Sequence, residues 1–453
     1  MKVVIIGGGL AGSEAAWQVA QRGVSIVLHE MRPVKPTPVH KTSLCAELVC
    51  SNTMKSKILD RAPGLLKAEM RLLNSLIIAC AEAAEIPGGT ALTVDRERFA
   101  EEVTRRLTAL PNVSIVRGEV TEIPDDEPVI VATGPLTSDA LAQSLGKIIG
   151  DSERHGVRSL LYFFDAVSPI VDADTINRDK VFLASRYDKG EAAFLNCPMN
   201  EAEYQAFYDA LRAADTFEPH DLDKDVPYFE GCMPLEELAS RGRDTLRFGP
   251  MKPVGLTDPR THRRPAAVVQ LRAENDPPTM YNLVGFQTRL KWGDQARVFR
   301  MIPGLEEAEF LRYGVIHRNT FVNAPRVLLP TYQLKSRPGV FLAGQLTGTE
   351  GYTESAAGGI IAGINAARLV RGEEPLIFPP ETMMGALAKY VTTADPASFQ
   401  PMNSNFGLLP PLPSPIRDRQ RRNESLSARA LKTMEGFCRR SITSCGHRME
   451  VRP

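Results

Sequence analysis

The chain has 453 residues, 43% of them hydrophobic, and its 54 lysines and arginines are balanced by 54 aspartates and glutamates. That length gives two or three domains and a sizeable core, which excludes a disulfide-stapled miniprotein; the neutral, apolar-rich composition excludes a disordered chain and a uniformly cationic nucleic-acid coat. No apolar run approaches the roughly 20 residues that span a bilayer, so no membrane partner is expected, and seven cysteines without a C-x-x-C pair suit a reducing cytoplasm.

Val3-Val4-Ile5-Ile6 reads as a buried strand rather than the core of a signal peptide, because no longer apolar region or small-residue cleavage site follows. Gly7-Gly8-Gly9-Leu10-Ala11-Gly12 comes next, then a helical pattern over Ser13–Arg22 that Gly23 ends. This is G-x-G-x-x-G in its proper strand-to-helix context: Gly7 for the turn, Gly9 for close approach of a pyrophosphate, Gly12 for helix-on-strand packing. A second strand over Val24–Leu28 leads to Glu30, a carboxylate placed to bond an adenosine ribose.

Val129-Ile130-Val131-Ala132-Thr133-Gly134 reads as a further strand ending in a small-residue turn. Gly339–Ala343 is another, turning at Gly344-Gln345 into a small-residue helix over Glu354–Leu369 whose first-turn N–H groups are open to an anion or a flavin carbonyl. The pieces resemble the discontinuous FAD domain of two-dinucleotide-binding flavoproteins, except that Gln345 stands where many have Asp. The expected fold class is α/β, a Rossmann-like discontinuous FAD-binding domain with an inserted α+β domain. Its parts would be residues 1–155 and 326–415 for the FAD domain, 156–325 for the insertion and 416–453 for a basic C-terminal tail. The candidate cofactor shell is Gly7, Gly9, Leu10, Ala11, Gly12 and Glu30, then Gly134, then Gly344, Gln345, Tyr352, Glu354 and Ala357.

The insertion is polarised in charge. Residues 201–240 hold 11 acidic and 2 basic side chains, and residues 241–330 hold 15 basic and 8 acidic ones. A basic face for phosphates and a face paired internally with the acidic stretch both fit this pattern. Arg289, Lys291 and Trp292 are the candidate RNA-binding group, two cations beside a stacking surface, with a packed tryptophan as the alternative. Leu408–Pro415 is a proline-rich belt, and the tail beyond it is either a helix over Glu424–Arg440 that touches RNA or a solvated end. Cys438, Cys445 and His447 offer too few ligands at too irregular a spacing for zinc, so no metal is expected.

Several long stretches coincide in order and spacing with one family: Ala46–Asn52, Gly64–Met70, Val94-Asp95-Arg96, Glu230–Pro234, Arg247–Leu256, Asn282–Gly293, His317–Thr320 and Gly351–Ala357. Together they resemble the bacterial folate- and FAD-dependent tRNA uracil-C5 methyltransferases over most of residues 1–415. Thr53-Met54-Lys55 replaces a more usual Ser-Leu-Arg, and the tail is only loosely similar. The resemblance implies an enzyme that converts the T-loop uridine at tRNA position 54 to ribothymidine. It implies FAD as cofactor, 5,10-methylenetetrahydrofolate as carbon donor and NAD(P)H as reductant, with tRNA as partner and no obligatory protein partner.

Such chemistry needs a cysteine, because uracil C5 becomes nucleophilic only after a thiolate adds to C6. Cys232, ahead of the basic segment, is the expected attacking thiol, and Cys50, in the turn Cys50-Ser51-Asn52, its partner in removing the C5 proton or assisting elimination; the reverse order stays open. Cys80, in an apolar helix, reads as core. A ribosomal RNA uridine as target, a wobble-uridine flavoprotein relative and a flavin-containing RNA chaperone without turnover are the competing readings.

Overall fold

The computed structural model describes residues 2–37, 39–150, 160–188, 191–217 and 233–442, the strand residues 160–166 and 316–318 by backbone alone. Cys232, Cys445 and His447 lie outside the described residues. Two hydrophobic cores organise the chain: one draws on residues between Val3 and Leu145 and again between Phe321 and Phe437, the other on residues between Val171 and Ala308.

The first core holds a five-stranded parallel sheet in the order Val340–Leu342, Val129–Val131, Lys2–Ile6, Ser25–Glu30, Val113–Arg117. Val3 and Ile5 are fully buried and Val4 and Ile6 nearly so, which is why this strand is a continuous apolar run instead of an alternating one. Each such side chain contributes about 1.5–3 kcal/mol. Val340 faces Val129 across the sheet, so the fold is closed by a strand far away in the chain.

Helix Leu10–Ala20 leaves the first strand, and helix Tyr352–Val370 follows the last. Both begin earlier than their expected starts at Ser13 and Glu354, because the residues after each glycine turn wind directly into the first helical turn. The two helices pack backbone to backbone: a Cβ added at Gly359 would lie 2.2 Å from the Ala11 carbonyl oxygen.

The second core lies under a six-stranded sheet, ordered Phe182–Ala184, Phe194–Met199, Ala267–Ala273, Met280–Leu283, Ile170–Asp172, Phe310–Arg312, with every pairing antiparallel. Helix Glu201–Arg212, started by a reciprocal Asn200–Glu203 capping box, presses Tyr204, Phe207 and Leu211 onto it. An antiparallel ribbon of Leu160–Ala166 and Ile316–Val322 carries the chain out to this unit and back.

Residues Arg419–Ser441 form one helix. It is a docked element and not a solvated end: Leu426, Ala430, Met434 and Phe437 are buried in the first core, Ser427 Oγ donates to the Leu59 carbonyl at 2.6 Å, and Arg429 donates to the carbonyls of Pro410 and Pro411 in the proline belt. Among the described residues no helix is long and apolar enough to cross a membrane.

Candidate active site

A cavity of about 320 Å³ opens at the carboxyl ends of the parallel strands. Its wall brings together Gly7, Gly9, Leu10, Ala11 and Glu30 from the first βαβ unit, Gly134 from the turn after Val129–Val131, and Gly344, Gln345, Gly351 and Tyr352 from the chain after Val340–Leu342. Gly7 has φ +105°, and a Cβ on Gly12 would stand 1.8 Å from the Gly7 oxygen, so this turn tolerates glycine only. Helices Leu10–Ala20 and Tyr352–Val370 both start at glycines, Gly9 and Gly351, without a side-chain cap. Their first N–H groups are left for an anion or a carbonyl, and a Cβ at Gly9 would meet nothing within 4 Å. The set fits an extended dinucleotide.

Glu30, 5% exposed, is held by its own scaffold: Oε2 accepts from Gly8 N at 2.9 Å, and Oε1 accepts from Arg32 N at 3.0 Å and Arg32 Nε at 2.8 Å. Burial alone would raise its pKa, but the Arg32 bonds and charge and the Gly8 bond outweigh it and keep the carboxylate ionised. Arg32 continues to Glu47 at 3.0 Å. His40, also in the wall, is pushed down to about 4, first by burial and then by Arg32, so it is neutral at pH 7.

Three expected cofactor residues stand behind the wall. Gly12 and Ala357 belong to helix packing, and Glu354 is fully buried. Its carboxylate accepts from Lys55 Nζ at 2.9 Å, Ser404 Oγ at 2.7 Å and Thr353 Oγ1 at 2.8 Å. Burial is outweighed there by the Lys55 charge and the Ser404 bonds, which bring the carboxyl down to about 2. Glu354 therefore anchors Lys55, a wall residue at φ +63°, and Lys55 is what faces the cavity. Gln345 lines the cavity and donates to Glu350 at 2.7 Å.

Cys50 is in the same wall, and Tyr352 fixes its turn, its hydroxyl oxygen accepting from Cys50 N at 2.9 Å and Ser51 N at 3.0 Å. Three arginines reach this turn: Arg96 and Arg312 donate to the Cys50 carbonyl, Arg272 to Ser51 Oγ. None of the three is among the site residues expected from sequence. Arg96 belongs to the family-like stretch Val94-Asp95-Arg96, but Arg272 and Arg312 sit on strands of the second unit with no local signal. By contrast, Cys80 is buried core, with its thiol pushed up to about 12 by burial.

Arg289, Lys291 and Trp292 lie in the second unit. Arg289 is only 15% exposed and pairs with Glu236 and Glu237, and Lys291 pairs with Asp215 at 3.2 Å. Glu201 likewise holds Arg243 and Arg247. The acidic stretch and the basic stretch are thus partners of each other at these positions, and Arg289 is a scaffold cation. Trp292 differs: it is 58% exposed and stacks on Tyr313 with ring centres 5.9 Å apart, and Tyr313 stacks on Phe310 at 5.3 Å. Five residues before Trp292, Gln287 lines the cavity, so the segment runs from the cavity wall to an exposed aromatic stack.

A parallel-sheet dinucleotide fold, with glycine turns and two uncapped helix starts meeting over one cavity, defines a flavoprotein of the two-dinucleotide-binding type. The fold is that of GidA from Aquifex aeolicus, with a TM-score of 0.68 at 17% identity over 96% of this chain and 73% of that one. The family described as Glucose inhibited division protein A matches residues 2–374. Proteins named Methylenetetrahydrofolate--tRNA-(uracil-5-)-methyltransferase TrmFO are 58% identical in Desulforudis audaxviator and 55% identical in Anoxybacillus flavithermus. These similarities cover 96% and 97% of this chain, and 98% and 100% of the relatives. The chain belongs to this methyltransferase family, as its motifs implied.

Proposed function

We propose that the chain is a folate- and FAD-dependent tRNA (uracil-5-)-methyltransferase that converts the T-loop uridine at position 54 to ribothymidine. The carbon comes from 5,10-methylenetetrahydrofolate and the electrons from NAD(P)H. The observation that carries this reading is that Cys50 stands in the wall of the cavity built by both glycine turns. The amino-terminal turn and Glu30 would hold the pyrophosphate and ribose of FAD, and Gly344, Gln345, Gly351 and Tyr352 its ring end. Bound there, FAD supplies the reducing equivalents that turn a methylene into a methyl group.

The thiols act on the base. Cys232 adds to C6, forming a C6–S bond and an enolate whose C5 attacks the donor's methylene carbon as the folate C–N bond breaks. Cys50 takes the C5 proton as the methylene's second folate C–N bond breaks; once the reducing equivalents have turned that methylene into a methyl group, the C6–S bond breaks to release the Cys232 thiolate. The described chain meets this wall again at Leu235, whose N–H donates to the carbonyl of the cavity residue Gln287 at 2.7 Å. Its partners on this reading are tRNA, the folate and the nicotinamide, met in the cytoplasm. A ribosomal RNA uridine as substrate would call on the same thiols.

Transfer RNA carrying 5-fluorouracil tests the assignment, because fluorine cannot leave C5 as a proton does. A covalent adduct should form on Cys232, persist in Cys50→Ala and disappear in Cys232→Ala. An adduct that survives Cys232→Ala and is lost in Cys50→Ala reverses the two roles, and no adduct with the parent protein removes the reading.

A further inference from the structure

The turn that carries Cys50 is gripped by more positive charge than it needs for hydrogen bonding. Arg96 Nη1 donates to the Leu48 carbonyl at 2.7 Å and its Nη2 to the Cys50 carbonyl at 3.2 Å. Arg312 donates to the Val49 carbonyl at 3.0 Å and to the Cys50 carbonyl at 3.4 Å. Arg272, 6% exposed, donates to Asn52 Oδ1 at 2.7 Å and Ser51 Oγ at 2.6 Å. The carboxylate ion-paired within this group is Glu274, itself 2% exposed and bound to Arg96. Three guanidiniums, buried or half-buried, against one carboxylate leave a charge of +2.

Such a cluster is costly unless an anion completes it. Burial and the Arg96 charge bring Arg312 down to about 10, and burial lowers Arg272 too; Glu274 first and Cys50 after it act in the opposite sense on both, and Glu274 keeps Arg96 raised. The buried Arg312 Nε also has no hydrogen-bond partner. Among the described residues, the Tyr352 phenol, which burial keeps neutral, also faces Cys50, and Glu47 and Lys55 share the cavity wall.

We propose that Arg272 and Arg312, brought by the second unit, act with Arg96 as positioning residues that hold Cys50 as a thiolate near neutral pH. The purpose of that thiolate, to accept the C5 proton, rests on the function proposed above, but its existence does not. Positive charge favours the ionised sulfur, so the thiol should lose its proton below the ordinary cysteine pKa of roughly 8.5.

The test is alkylation of the full-length, flavin-loaded protein by iodoacetamide under reducing conditions between pH 5 and 10, with Cys50 followed by peptide mass spectrometry. Its rate should titrate at least one pH unit below the ordinary value, a tenfold gain in thiolate at a given pH below both values. Arg312→Met should move that midpoint upward, and Arg312→Lys, which keeps the charge and loses the fork, should restore most of it. A parent protein that titrates at or above 8.5 overturns the proposal, whether or not any variant folds. So does an Arg312→Met midpoint equal to the parent's. Low-pH titration in a protein that transfers no methyl group to RNA would instead leave the proposal standing and remove the function.

Discussion

The two units of the molecule differ in how their working residues are placed. In the nucleotide unit each residue is positioned by its own neighbours: Gly7, Gly12 and Glu30 lie within one βαβ turn, and the Gly8 N–H and Arg32 that hold Glu30 are within 22 residues of it. In the inserted unit the partners come from afar. Arg289 is matched by Glu236 and Glu237, Lys291 by Asp215, and Arg272 and Arg312 cross to a turn at the start of the chain. Local geometry can be read along a sequence, whereas a charge can be read only together with the partner that the fold gives it.

The largest effect should come from attacking the local geometry. Gly359→Leu must displace the backbone of Ala11, and overpacking of that kind should cost about 3 kcal/mol or more in urea unfolding, with loss of bound flavin. Unchanged stability would mean the two helices are not locked together. Next, Glu30→Ala should weaken FAD retention by about 1.5–3 kcal/mol, the worth of a hydrogen bond to a charged group, measured by equilibrium dialysis. Full retention would shift the ribose contact elsewhere.

Neighbouring residues of one segment should behave in opposite ways. Arg289→Ala should lower folding stability by about 2 kcal/mol, because it leaves Glu236 buried without its cation, while the salt dependence of tRNA binding stays that of the parent. Trp292→Ala should do the reverse: stability within about 0.5 kcal/mol, but tRNA affinity reduced by about 1–3 kcal/mol through loss of base stacking. If Arg289→Ala flattens the salt slope and Trp292→Ala does nothing, the basic segment is the RNA contact after all.

The parallel strands, the glycine turns, Glu30 and the Cys50 turn were legible because each is dictated by backbone geometry within a few residues. Gly12 has the packing role its motif assigns it, whereas Ala357 and Glu354, which the second glycine turn suggests as cofactor contacts, serve the layer beneath: a small residue that lets helices touch and a carboxylate that anchors Lys55 also belong in a glycine-rich turn. The docking of Arg419–Ser441 was hidden because its buried residues Leu426, Ala430, Met434 and Phe437 are diluted by arginines on the same helix. Arg272 and Arg312 were illegible for a stronger reason, since an arginine on a strand carries no mark of the loop it will reach.

The most direct test of the account follows one carbon atom. Flavin-loaded protein is incubated with unmodified tRNA, isotopically labelled 5,10-methylenetetrahydrofolate and NADPH or NADH, and the labelled nucleotide is mapped. Label on the methyl group of ribothymidine at the T-loop uridine, lost in Cys50→Ala and absent without the reduced nicotinamide, is the predicted result; no transfer from the folate to that uridine would contradict it.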